Sequence, residues 1–219
     1  MPATTRQEQQ TEGKQADILG VILAGGNATR LGQALKSGIL VRGQSLLERV
    51  ESAIRDDCTH ILLSVGKHQK NQFHSAPNFI ALSDSGNGPA AALIEMAAFA
   101  LSELPQTQFL LTVAVDTPFF PSDFAARARQ ILTPQLDVVV ATFGDQVYPT
   151  NALWRLSSFS PKTHERRNPS HRALFSLLDR REWARLDYSS LQSDNPFVNI
   201  NTPADLIACN RQAELEASS

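Results

Sequence analysis

The chain has 219 residues, a formal net charge of -2 and 19% charged residues. That length suits one substantial domain and falls short of two full ones. The near-neutral balance excludes a strongly basic nucleic-acid surface and an acidic tail, so any nucleotide it binds is expected to be a small ligand and not a polymer.

The two cysteines, Cys58 and Cys209, form no CxxC pair, which argues against a zinc site and against a disulfide framework. No run approaches the roughly 20 apolar residues of a membrane-spanning helix. Residues 1–16 are polar, rich in Gln and without a signal-peptide core, and read as a disordered lead-in to a single domain over 17–219. A cytoplasmic protein without membrane or nucleic-acid partners is the expectation.

Asp17 to Lys36 reads DILGVILAGGNATRLGQALK. Val21, Ile22 and Leu23 lie in a run of buried-strand length, broken by Gly25 and Gly26. A glycine pair after a strand lets backbone N–H groups approach an anion without a Cβ in the way. Arg30 and Lys36 add a guanidinium fork and an ammonium, and the set matches what a nucleoside triphosphate requires. The loop fits neither GxxxxGK[ST] nor GxGxxG. A plain glycine turn with two solvated cations is the alternative at this point.

Downstream, Gly38 to Val41 is a short apolar piece and Arg42-Gly43-Gln44 a tight turn. Ser45 with Glu48 forms a capping-box pattern ahead of Leu46, Leu47, Val50 and Ile54 at helical spacing, with the helix ending near Asp56. His60 to Val65 and Asn78 to Leu82 read as strands. A turn cluster from Asp84 to Pro89, including Gly88, leads into an Ala-rich helix with Pro89 in its first turn. Phe109 to Val115 is the most apolar strand, halted at Asp116 by Pro118 and Pro121. Ser122 can cap a helix through Leu132, and Asp137 to Phe143 is a further strand. Tyr148 to Trp154 reads as a strand, Ser158 to Arg172 as a solvated basic loop with a lid as the alternative, and Leu174 to Trp183 as a helix. Phe197 onward gives a short strand, a turn and a closing helix with Thr202 as cap and Pro203 and Asp205 in its first turn.

Strands that are apolar throughout and alternate with helices predict an α/β fold, with a mostly parallel sheet covered on both faces. Ligands in such folds bind at the carboxyl ends of the strands, where strand order reverses. Asp116, just past a buried strand, reads either as a turn aspartate or as a carboxylate holding a divalent cation against phosphate oxygens. Asp84 has the same two readings, with ribose contact added. Asn199 and Asn201 flank Ile200 and, in a strand, would face one ligand; Asx-turn chemistry is their alternative. The five histidines form no HExxH, and there is no GxSxG nucleophile.

Taken together, LAGGNATRLGQALK at 23–36, VDTPFFPSDF at 115–124 and FVNINTPADL at 197–206 resemble the molybdenum cofactor guanylyltransferase (MobA-like) nucleotidyltransferases. DSGNGPAAAL at 84–93 and YPTNALW at 148–154 resemble further segments of that family. The resemblance implies a three-layer Rossmann-like nucleotidyltransferase domain that transfers GMP from GTP to the phosphate of molybdopterin with release of pyrophosphate, using Mg²⁺. It implies nucleotide binding by Leu23, Ala24, Gly25, Gly26, Arg30, Lys36, Asp84 and Gly88. Arg30, Lys36 and Asp116 take the catalytic roles, with Asp116 as metal ligand and Asn199 and Asn201 on the acceptor side or in the metal shell. GTP and molybdopterin are the implied partners, with a molybdoenzyme or its chaperone as a further one and a monomer or weak oligomer as the state.

The chain departs from the family pattern at Gln33 and Leu35 in the first loop, at Gly66 where an Asn is usual, at Ala114-Val115 where Pro-Cys is usual, and at Ala90 to Ala92. These positions read base and acceptor. Cytidylyl or other nucleotidyl transfer, and a catalytically weak nucleotide-binding protein of cofactor assembly, are the alternative functions.

Overall fold

The apolar runs beginning at Ile18, His60, Phe109 and Val138 become strands of one sheet. The computed structural model describes residues 18–24, 36–66, 79–83, 85, 87–160, 174–179 and 181–216. Its strands are β1 (Ile18–Leu23), β2 (Leu40–Val41), β3 (Gln44–Ser45), β4 (His60–Val65), β5 (Ile80–Ser83), β6 (Phe109–Ala114), β7 (Val138–Phe143), β8 (Gln146–Arg155) and β9 (Trp183–Asp187). The helices are α1 (Leu46–Ile54), α2 (Pro89–Glu103), α3 (Phe124–Ile131), α4 (Phe175–Leu178) and α5 (Pro203–Glu216), with 3-10 turns at Lys36–Gly38 and Leu156–Phe159.

The main sheet has seven strands in the order β5-β4-β1-β6-β8-β7-β9, and β2 and β3 form a small separate hairpin. β4, β6 and β5 join the sheet in parallel around β1, and β9 is parallel to β7. β8 is the antiparallel member, paired with both β6 and β7. The cause is local: Phe143 pairs with Gln146 across Gly144-Asp145, and Gly144 has φ 57°, so a two-residue hairpin turn returns the chain antiparallel. The expected mostly parallel α/β sheet is present with this one inversion.

Alternate residues of each strand feed opposite layers. Ile18 and Ile22 of β1, Ile61, Leu63 and Val65 of β4, and Leu111 and Val113 of β6 pack with α1, α3 and α5. Leu19, Val21 and Leu23, with Leu62, Leu110, Val138 and Val140, face α2 and α4. Each fully buried side chain of this size contributes about 1.5–3 kcal/mol of transfer free energy, which ties both layers to the sheet. On the second face Trp154 is fully buried, and its Nε1–H donates to Thr112 Oγ1 at 2.9 Å.

α1 begins as its sequence dictates: Ser45 Oγ accepts from the Glu48 N–H at 3.2 Å, and Glu48 Oε2 accepts from the Ser45 N–H at 2.8 Å. Three expectations are corrected. The residue preceding α3 is Asp123 and not Ser122; its carboxylate is engaged by Tyr188 Oη at 2.7 Å and Arg127 Nε at 2.5 Å. The Leu174 to Trp183 helix stops after one turn at Leu178, because Trp183 starts an edge strand whose backbone pairs with β7. Phe197 to Asn201 is not a strand and joins no ladder; it is pinned by the Ile200 N–H to Asp116 carbonyl bond at 3.0 Å. The segments at 67–78 and 161–173, most of the basic loop, lie outside the described residues. Among the described residues no helix is long and apolar enough to cross a membrane.

Candidate active site at the carboxyl edge of the sheet

β1 lies between β4 and β6, and the chain passes from β1 to β4 on one side before crossing back to β6 on the other. The carboxyl ends of β1 and β6 therefore flank a topological switch point. The Ala24 N–H donates to Ser64 O of β4 at 3.0 Å and the Val115 N–H after β6 to Leu23 O at 3.1 Å, so the end of β1 is tied to its neighbour on each side beyond the ladder proper. Lys36 stands at the same edge.

Three residues far apart in the chain meet here. Lys36 Nζ donates to Asp116 Oδ2 and to Asn201 Oδ1, each at 2.7 Å. Lys36 stands at the start of the 3-10 turn, Asp116 in the turn after β6, and Asn201 in the segment before α5. The Lys36 and Asp116 side chains are 18% and 13% exposed, so the pair is largely shielded yet reachable by a ligand.

Asn199 joins the same turn from the other direction, its Oδ1 accepting from Thr117 Oγ1 at 3.2 Å. Asn199 and Asn201 thus point away from buried Ile200 toward the Asp116 turn, as expected, although no strand carries them. Asn201 is itself held by Asp205. One carboxylate oxygen, Oδ2, accepts from the Asn201 N–H at 2.9 Å and the Thr202 N–H at 2.8 Å, while the Asp205 N–H donates to Thr202 Oγ1 at 3.2 Å. The Asn201 and Thr202 N–H groups, then the Thr202 hydroxyl, hold the Asp205 carboxyl below its usual range.

Leu23 and Ala24 lie at the β1 edge as expected. Gly88 precedes α2 with φ 95°, a conformation that favours glycine, and Pro89 occupies the first turn. α2 follows β5, so its amino end, the end favourable to anions, stands at the carboxyl edge. Gly25, Gly26, Arg30 and Asp84 lie outside the described residues.

The donor set suits a hard divalent cation. Asp116 supplies a carboxylate and Asn201 an amide oxygen, and both now bind an ammonium as a cation stand-in. Among the described residues no three His, Cys, Asp or Glu side chains gather into a metal cage. A single carboxylate whose remaining ligands come from substrate phosphates and water is the usual arrangement for Mg²⁺.

Sequence reasoning missed Asn151 and Thr117. Asn151 is fully buried behind the Asp116 turn, its Oδ1 accepting from the Ala114 N–H at 3.1 Å. The available signal was an amide directly ahead of the apolar Ala152-Leu153-Trp154 run of β8.

Curated proteins resemble this chain in sequence and solved structures resemble it in fold. A molybdenum cofactor guanylyltransferase of Sinorhizobium fredii is 29% identical over 191 residues, covering 85% of this chain and 87% of that protein. The molybdopterin-guanine dinucleotide biosynthesis protein A of Archaeoglobus fulgidus superposes with a TM-score of 0.70 at 18% identity, over 90% of this chain and 98% of its own. Rv0371C of Mycobacterium tuberculosis, solved in complex with manganese, superposes with a TM-score of 0.56 at 15% identity, over 78% of this chain and 88% of its own. The family model of the MobA-like NTP transferase domain matches residues 20–185, and the chain belongs to that nucleotidyltransferase family.

Proposed function

We propose that this protein transfers the guanylyl group of GTP to the terminal phosphate of molybdopterin, giving molybdopterin guanine dinucleotide and pyrophosphate. The observation that carries this reading is the convergence of Lys36, Asp116 and Asn201 at the switch point, in a family of nucleotidyltransferases. The curated relative named for guanylyl transfer spans nearly the whole chain and supports the choice of base and acceptor.

An oxygen of the acceptor phosphate attacks the α-phosphorus of GTP in line, and the bond from that phosphorus to the α,β-bridging oxygen breaks. The electron pair leaves on pyrophosphate. The acceptor is already an anion, so no general base is required, and catalysis rests on positioning and charge stabilisation. Lys36 exchanges its carboxylate partner for phosphate oxygens and neutralises the leaving pyrophosphate. Arg30 is assigned the same task from the loop after β1, whose Leu23 to Gly26 backbone holds the nucleotide together with Asp84 and Gly88. Asp116 would hold Mg²⁺, which would supply Lewis-acid stabilisation of phosphoryl charge. Asn199 and Asn201 address the acceptor side.

Pyrophosphate release is measured with molybdopterin, Mg²⁺ and each of GTP, CTP, UTP and ATP in turn. Release with GTP, dependent on molybdopterin, is expected. A preference for another base, or saturable GTP binding without release, overturns the assignment.

A further inference from the structure

The sheet loses its regularity in β8, directly behind the site. The β7–β8 ladder pairs Val140 with Ala152 and then resumes at Ala141 with Tyr148, so residues 149–151 are extra on β8. Pro149 stands in this excursion and has no N–H to offer a ladder. On the other side the β6–β8 pairing stops at Thr112 with Ala152, which leaves Ala114 without a backbone partner from β8.

Asn151 closes the gap. With Oδ1 committed to the Ala114 N–H, its amide is oriented so that Nδ2 faces Thr117 Oγ1 at 3.5 Å. The Thr117 hydroxyl has a single proton, and this goes to Asn199 Oδ1 at 3.2 Å. Asn151 and Thr117 are both fully buried. The turn between them is closed by the Thr117 N–H to Ala114 O bond at 3.1 Å, and it carries Asp116, whose carbonyl accepts from the Ile200 N–H. Burying an amide and a hydroxyl costs free energy unless each is bonded; here Asn151 serves the Ala114 N–H that β8 does not reach, and the Thr117 hydroxyl links the Asn151 and Asn199 amides. The polar choice is explained by what it orients.

We propose that Asn151, acting through the Thr117 hydroxyl, is a positioning residue that fixes the Asp116 turn and sets the direction of the Asn199 amide. With Asn199 Oδ1 accepting from Thr117, its NH₂ group is the end presented as a donor to an anionic phosphate oxygen. The kinetic consequence rests on the guanylyl-transfer reading; the geometric one does not.

Thr117→Val removes the hydroxyl and keeps the shape, while Thr117→Ser keeps the hydroxyl. Amide hydrogen exchange in the nucleotide-free protein reads the Ile200 N–H. Roughly tenfold faster exchange is expected in Thr117→Val, the loss of about one net hydrogen bond, with recovery in Thr117→Ser. Should Thr117→Val fail to fold, Asn199→Ala breaks the same link from the half-buried side and is expected to speed Ile200 exchange equally. In pyrophosphate release Thr117→Val lowers kcat with KM for GTP within about twofold, as expected for a group that aims the site without binding nucleotide. Ile200 exchange unchanged from wild type in the variants overturns the proposal. If the exchange change is present while the wild type releases no pyrophosphate from GTP, the positioning role stands and the guanylyl-transfer reading falls.

Discussion

Lys36 Nζ lies 2.7 Å from Asp116 Oδ2, an ion pair closed across 80 residues of chain between the 3-10 turn at Lys36 and the turn after β6. One carboxylate oxygen thus carries the lysine and, in the proposed reaction, would also carry Mg²⁺. An ammonium and a divalent cation on the same oxygen repel each other. A triphosphate offers Lys36 other anionic partners, so nucleotide is expected to prepare Asp116 for the cation. Lys36→Met therefore raises Mn²⁺ affinity in the absence of nucleotide, by several-fold, while KM for GTP rises on the order of 10–100-fold through loss of a charge-assisted contact. Mn²⁺ titration followed by electron paramagnetic resonance checks the first half; weaker binding in the variant would show that the pair does not compete with metal.

Asp116→Ala removes the carboxylate and leaves Lys36 bonded to Asn201. Metal-dependent turnover is expected to fall by about 10²–10³, the range for loss of one group that stabilises charge in the transition state. The fold is retained, because the turn is held by backbone bonds of Ala114, Thr117 and Ile200 that do not use the Asp116 side chain. Steady-state pyrophosphate release and circular dichroism separate the two effects. Near-normal rates would move the metal site elsewhere.

Asp205 links helix capping to the site, since its carboxylate holds the Asn201 and Thr202 N–H groups. Its folded-state pKa is lowered, chiefly by those two N–H groups, so its contribution to stability is present above the ordinary carboxyl value and is lost as pH falls through the lowered one. Asp205→Ala is expected to flatten that acid limb of the thermal midpoint against pH and to reduce kcat at neutral pH by releasing Asn201. A midpoint profile with the same acid slope as wild type would show that Asp205 contributes nothing through this titration.

Cys58 lies against Gly20, and burial, then the charge of Asp57, pushes its thiol up to about 12. Thiolate is the reactive form, so alkylation at neutral pH is expected to run about 10³-fold slower than for an ordinary cysteine and to speed up on unfolding. Mass spectrometry after timed iodoacetamide treatment measures this. Rapid labelling of Cys58 in the folded protein would contradict its burial.

The parts of this fold legible in the sequence are those set by local pattern. The apolar runs of β1, β4, β6 and β7 are continuous because both of their faces are covered, and α1 is announced by Ser45 and Glu48. Lys36, Asp116 and Asn201 were legible as residue types, but their meeting depends on the sheet crossing back at β1, which no local window contains. β9 was hidden because it pairs on one side only and carries Arg185 and Asp187, so it lacks the apolar continuity of a central strand. Asn151 was hidden for another reason. Its role follows from where β8 leaves the ladder, and register is a property of two strands together.

Gly20 of β1 lies close under Ile54 of α1. A Cβ there would stand 3.0 Å from Ile54 Cδ1, 3.1 Å from Cys58 Sγ and 3.2 Å from Ile61 Cγ1. All three are packed side-chain atoms, and each must give by a few tenths of an ångström to admit it. Gly20→Ala is expected to destabilise the protein by about 1–3 kcal/mol, the usual cost of overpacking. Cys58→Ala removes the sulfur and makes room, so the double variant is expected to lose less than the sum of the two single variants. Urea unfolding of all four proteins gives the coupling. Additive losses would mean that α1 and not the sulfur accommodates the methyl group, and an unchanged midpoint in Gly20→Ala would mean that this contact has slack the packing does not show.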